Sequence, residues 1–195
     1  AEPTETFPVY ATTAGTQSGA ATWRCAECHG FDYRGVAGRY ATGPHATGVP
    51  GVVDRVGRRS RQELFDIIAT GTAPVSGDSA VTPEHAFASV LDDTQLYALV
   101  RFLVDGLVDT TLVIDPPTGI SNGDAGRGAE LFTADAGGPC ELCHGGFGKA
   151  IPVGEPEDAP ASVGTVARAQ PERALHRIRW GVPGSAMPDA QGAGF

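Results

Sequence analysis

Residues 23–30 read WRCAECHG and residues 140–145 read CELCHG. In each, two thiols stand two residues apart with an imidazole directly behind the second, and the two stretches use all four cysteines of the chain. C-x-x-C spacing serves zinc sites, dithiol redox centres, disulfides and covalent haem attachment. A structural zinc held by both pairs would have no use for a histidine after each. A dithiol redox centre of the thioredoxin kind sits in a βαβ setting, and no strand pattern flanks Trp23 or Cys140. Two disulfides closing such short loops would remove little chain entropy. C-x-x-C-H accounts for every residue: both thiols add to porphyrin vinyl groups as thioethers, and the adjacent histidine becomes the proximal iron ligand. The expectation is two covalent haems c, one on Cys25 and Cys28 with His29, the other on Cys140 and Cys143 with His144.

The elements around the motifs repeat as well. The offset between Cys25 and Cys140 is 115 residues, which suggests a duplication. After the first motif comes SRQELFDIIATG, residues 60–71, with a Ser60/Glu63 capping box, an apolar stripe of Leu64, Ile67 and Ile68, and Gly71 as a C-terminal stop. After the second comes QPERALHRIRWG, residues 170–181, with Pro171 suited to a first turn, Leu175 and Ile178 as the stripe, and Gly181 at the end. Each copy reads as motif, irregular loop, short helix, glycine. The first copy continues into LDDTQLYALVRFLVDG, residues 91–106, an Asp-capped helix burying Leu96, Leu99, Val100 and Leu103. Pro116-Pro117 and Gly119 then mark a linker, and DAGRGAELF offers a short helix before the second motif. Two domains follow, 1–112 and 120–195, joined by residues 113–119. Each is small enough to need a staple or cofactor beside its apolar core.

Composition narrows the partners. The net charge of −9 disfavours nucleic acid, whose binding relies on neutralising phosphates with Lys and Arg, and leaves a basic docking surface on a protein partner as the complementary match. The most apolar stretch, Leu96–Val108, is broken by Arg101 and Asp105, so no transmembrane segment is expected. The opening AEPTETFP carries neither basic n-region nor apolar h-region and reads as the mature start left by signal cleavage. The 27 glycines and 15 prolines imply many turns.

With two C-x-x-C-H motifs, glycine-ended helices and a Met187-Pro188 pair, the chain resembles the class I c-type cytochromes in a tandem two-haem form. The resemblance implies a mainly α fold with little or no β-sheet, each domain wrapped round one haem. It also implies that Met187, in GVPGSAMPDA, is the distal ligand of haem 2. Domain 1 has no methionine. His85, followed by Ala-Phe and a helix, stands where the family has its distal Met, and His45 in ATGPHATGVPG is the alternative; an open iron is the third reading. Pro44 resembles the family residue whose carbonyl accepts a hydrogen bond from the proximal imidazole, here His29. His45 otherwise reads as a surface or propionate-contacting residue, or as a ligand to a haem of a neighbouring chain. His176 reads as part of a solvated helix face. Trp23, Arg24, Tyr33, Arg34, Arg39 and Tyr40 around haem 1, and Arg177, Arg179 and Trp180 around haem 2, are candidate propionate donors or core packers.

A second imidazole lowers an iron's potential and a thioether raises it. Haem 1 is therefore expected to be bis-His and lower in potential, haem 2 His/Met and higher, with electrons running from the first to the second. Irons with both axial positions filled suit electron transfer rather than catalysis. The expected activity is single-electron exchange between redox proteins, as a carrier or as a cytochrome subunit of a larger complex or haem chain. A dihaem peroxidase is the enzymatic rival. Haem c is attached outside the cytoplasmic membrane, so a periplasmic or other extracytoplasmic location is expected. The family would continue past Met187 into a last helix, whereas the sequence stops at Phe195; a longer polypeptide, a clipped tail or another chain closing the pocket would each account for this.

Overall fold

The computed structural model describes residues 3–43, 45–72, 85–115, 118–119, 121–133, 140–151, 162–182 and 185–190. The described residues are mainly helical and form no strand, only two isolated bridges, Gly35 with Pro50 and Ile114 with Ser121. The chain divides into two compact units, Ala1–Val108 and Asp109–Phe195.

The first unit contains α1 (Cys25–His29), α2 (Val53–Val56), α3 (Arg61–Thr70) and α4 (Asp93–Arg101). Helix α3 starts where the sequence places its capping box: Glu63 N–H donates to Ser60 Oγ, while Ser60 N–H donates to Glu63 Oε2 at 2.7 Å. It stops at Gly71, which takes left-handed φ 68° and donates back to the Ile67 carbonyl, a conformation costly for any residue with a Cβ. Helix α4 has an analogous box between Asp92 and Gln95. Its α pattern ends at Arg101, five residues short of Gly106, and continues as one π turn, Phe102–Gly106. There a Cβ on Gly106 would lie 2.7 Å from the Phe102 ring.

Helix α3 packs on α4 and on the 3₁₀ turn Phe87–Ser89. Leu64 and Ile68 meet Leu96 and Val100 in the core, with Leu99 and Leu103 packed against them. The same core takes in Phe7 and Tyr10 from the N-terminal segment, the latter 1% exposed. That segment has no regular element longer than a 3₁₀ turn. Side chains tie it down: Phe7 N–H donates to Thr22 Oγ1 at 2.8 Å, the Thr22 hydroxyl donates to the Gly19 carbonyl, and Gly19 N–H donates to Thr6 Oγ1.

The second unit contains α5 (Ala125–Phe132), α6 (Cys140–His144), α7 (Val163–Ala169) and α8 (Pro171–Trp180). Asp124 caps α5 and Ser162 caps α7. Pro171 opens α8, and Gly181 follows it with φ 70°. The stretch with the linker signal holds local structure: a 3₁₀ turn at Thr110–Leu112 capped by Asp109, the Ile114–Ser121 bridge, and a Gly119 N–H to Asp115 carbonyl bond. Helix α8 departs from expectation in its faces. Ile178 is 51% exposed, whereas Glu172 and Arg173 are buried, and His176 is half-buried rather than solvated. Helix α7, which packs against α8, lies in the stretch expected to be irregular loop.

Candidate functional site

Both C-x-x-C-H motifs form one short helix each, α1 and α6, so the two thiols and the imidazole of each share little more than one turn. The backbone beyond them is the same in both copies. Gly30 N–H bonds to the Ala26 carbonyl as Gly145 does to Glu141; Gly35 N–H bonds to the His29 carbonyl as Ala150 does to His144. Tyr33 N–H bonds to the Gly30 carbonyl as Gly148 does to Gly145, and Val53 N–H returns to the Tyr33 carbonyl as Val163 does to Gly148. Tyr33, with φ 60°, takes the left-handed place that glycine, φ 64°, takes at 148. Its ring lies edge-on to Phe102 at 6.1 Å.

In the first unit this frame aims the proximal imidazole. The loop after α1 is pinned by buried Asp32, whose carboxylate accepts from Arg34 and Arg39 N–H. It then crosses the 49–51 segment at van der Waals limits: a Cβ on Gly35 would sit 2.2 Å from the Val49 carbonyl oxygen, and one on Gly51 would sit 2.4 Å from Arg34 Cα. This crossing sets the Pro50 carbonyl 2.7 Å from His29 Nδ1. The acceptor for the His29 ring is therefore Pro50, not Pro44, which lies outside the described residues. The signal was in the sequence: Pro50 stands three residues before Val53, as Pro160 does before Val163. Pro160 itself lies outside the described residues. His144 Nδ1 is buried and has no hydrogen-bond partner among the described residues.

His85 faces this centre. Its ring centroid lies 6.3 Å from that of His29, with the ring planes at 83°. Around it stand Phe87, edge-on at 5.1 Å, and Phe7 at 6.4 Å, with Trp23 4.7 Å beyond Phe7. Trp23 Nε1 donates to the Glu5 carbonyl, so its N–H serves the N-terminal segment. The alternative ligand, His45, stacks on Tyr40 at 5.4 Å and 18°. In the second unit, Met187 N–H bonds to Ser185 Oγ, and Ala190 N–H returns to the Ile178 carbonyl. A Cβ on Gly181 would meet the Met187 carbonyl oxygen at 2.8 Å, so glycine there lets the Met187 loop lie against the end of α8.

The protonation states suit metal ligation. Burial holds the His29 pKa below the ordinary imidazole range, with Arg55 adding to the effect and the Pro50 bond opposing it. Burial, and then the His29 charge, bring His85 down to about 4. Both rings are neutral at pH 7, and His29, donating through Nδ1, keeps the Nε2 lone pair. Burial pushes the Cys28 thiol up to about 12, with Cys25 and Glu27 adding to it, the reverse of the lowered pKa a reactive dithiol needs. His176 is shifted down by burial and then by Arg177. Among the described residues no three or more His, Cys, Asp and Glu side chains gather as a metal-chelating cluster, and no helix is long and apolar enough to cross a membrane.

Metal–imidazole bonds of about 2.0–2.1 Å, with about 1.1 Å from each nitrogen to its ring centre, place two coaxial imidazoles roughly 6.2–6.4 Å apart. The His29–His85 centroid separation of 6.3 Å, with the ring planes at 83°, falls within that range. Comparison with protein-family models, curated proteins and solved structures finds no match to this chain.

Proposed function

We propose that the chain is a dihaem c-type cytochrome passing single electrons between redox proteins. The observation that carries this reading is the His29–His85 pair, 6.3 Å apart, beside a C-x-x-C helix whose backbone frame recurs at residues 140–150. Cys25 and Cys28 would hold haem 1 by thioethers with His29 and His85 as axial ligands. Cys140 and Cys143 would hold haem 2, with His144 proximal and Met187 distal. Each group, when bound, supplies one-electron iron chemistry. The chain's own part is to fix the ligands, set the potentials and exclude water. The Pro50 carbonyl orients His29 and strengthens it as a donor. Two imidazoles favour a lower potential at haem 1, and the thioether a higher one at haem 2, so electrons pass from the first unit's haem to the second's. Attachment through thioethers would go with a periplasmic or other extracytoplasmic location, and the −9 charge favours a partner with a basic docking face.

Low-temperature EPR of the oxidised protein tests the ligand sets. Perpendicular imidazole planes act equally on the two iron orbitals they overlap, so haem 1 should give a strongly axial low-spin signal, distinct from the imidazole–thioether signal of haem 2. A large high-spin signal would overturn the carrier reading.

A further inference from the structure

The two imidazoles of the first unit are held very differently. His29 sits on α1 between the thiols' helix and a carbonyl: its Nδ1 donates to Pro50 at 2.7 Å, on a loop whose crossing leaves no room for a Cβ at Gly35 or Gly51. His85 Nδ1 is buried and has no hydrogen-bond partner among the described residues. Its ring meets aromatic carbon instead, the Phe87 and Phe7 rings at 5.1 and 6.4 Å. An acceptor on the remote nitrogen fixes the orientation of a ligating imidazole and raises its donor strength. His29 has one and His85 lacks it. A buried N–H without an acceptor is also a standing desolvation cost, relieved whenever the ring swings away.

On these grounds we propose that His85 is an exchangeable distal ligand, giving way in the reduced protein to a small neutral ligand of the carbon monoxide class. The proposal rests on the reading of His29 and His85 as the axial pair of haem 1. In the exchange the His85 Nε2–iron bond breaks, a bond from iron to the incoming carbon forms, and no electron or proton leaves the site. The surroundings select the ligand. Phe7, Phe87 and Trp23 present aromatic surface, and the Trp23 N–H is held by the Glu5 carbonyl. A neutral diatomic needs no cation or hydrogen-bond donor beside it, which suits this aromatic lining.

The test is stopped-flow mixing of the dithionite-reduced holoprotein with carbon monoxide, followed in the Soret band. Half of the haem should convert, at a rate that reaches a plateau with ligand concentration because departure of His85 limits it. In His85→Ala the rate should rise linearly without a plateau. Met187→His, which gives haem 2 a second imidazole, should leave the uptake intact; loss of uptake in that variant would assign the labile ligand to Met187 and overturn the proposal. A wild-type protein that refuses carbon monoxide while His85→Ala takes it at once would also overturn it, by showing that His85 holds the iron shut. If instead His85→Ala keeps the oxidised wild-type EPR spectrum, His85 is not a ligand and the axial assignment itself fails, a result distinct from either.

Discussion

At the scale of single residues, type and spacing carried the chemistry and the structure supplied the pairing. Two thiols and an imidazole within five residues are legible in any sequence, because one helical turn brings them together whatever the rest of the chain does. The distal side is different. The Ala-Phe and helix after His85 set it where the family has its distal Met, but only the tertiary contacts put it 6.3 Å from His29 and leave His45 stacked on Tyr40. Pro50 is marked only by its place three residues before Val53, matched by Pro160 before Val163, because the role of its backbone carbonyl depends on a loop crossing. One prediction belongs here. Replacing His85 by Met should keep haem 1 low-spin and raise its midpoint potential by on the order of 0.1 V, a fraction of the ≈ 0.8 V span set by axial ligands. Potentiometric titration checks it, and an unmoved lower potential would remove His85 from the iron.

At the scale of elements, caps and glycines did most of the specifying. The Ser60/Glu63 box and Gly71 bound α3, and Pro171 and Gly181 bound α8, at the positions their types imply, because these signals act within one turn of the residues that carry them. What resisted reading was the N-terminal segment. Phe7 and Tyr10 carry no periodicity, yet both are buried, held by hydroxyl bonds from Thr22 and Thr6 that only the folded chain assembles. The crossing of the Gly35 loop with the 49–51 segment makes a sharp prediction. Gly35→Ala must move a backbone it would otherwise meet at 2.2 Å, and must do so at φ 51°. The expected cost is about 2–3 kcal/mol, seen as a lower midpoint in urea, with a weakened His29–Pro50 bond lowering the donor strength of His29. A variant as stable as the parent would show that the crossing has slack.

At the scale of the whole molecule, the two units hold themselves together unequally. Every residue of the described apolar core cluster lies between Phe7 and Leu107. In the second unit Ile114 and Pro171 are the buried apolar side chains among the described residues, while Leu142 and Phe147 are 76% and 91% exposed and Ile151 and Ile178 about half so. A unit of that size with so little apolar burial needs another source of stability, and a covalent haem is the one its motif offers. Replacing Cys140 and Cys143 by Ala should therefore abolish hydrogen-exchange protection across residues 109–195 while residues 1–108 keep theirs. Equal protection in the variant would mean that the second unit folds without the group. The central claim is that both C-x-x-C-H helices carry covalent haem, and intact-protein mass spectrometry under denaturing conditions tests it most directly. The measured mass should equal that of the chain plus two haem groups, unchanged by acid-acetone extraction. A protein weighing no more than its 20.0 kDa polypeptide, or losing its colour to the organic phase, would contradict it.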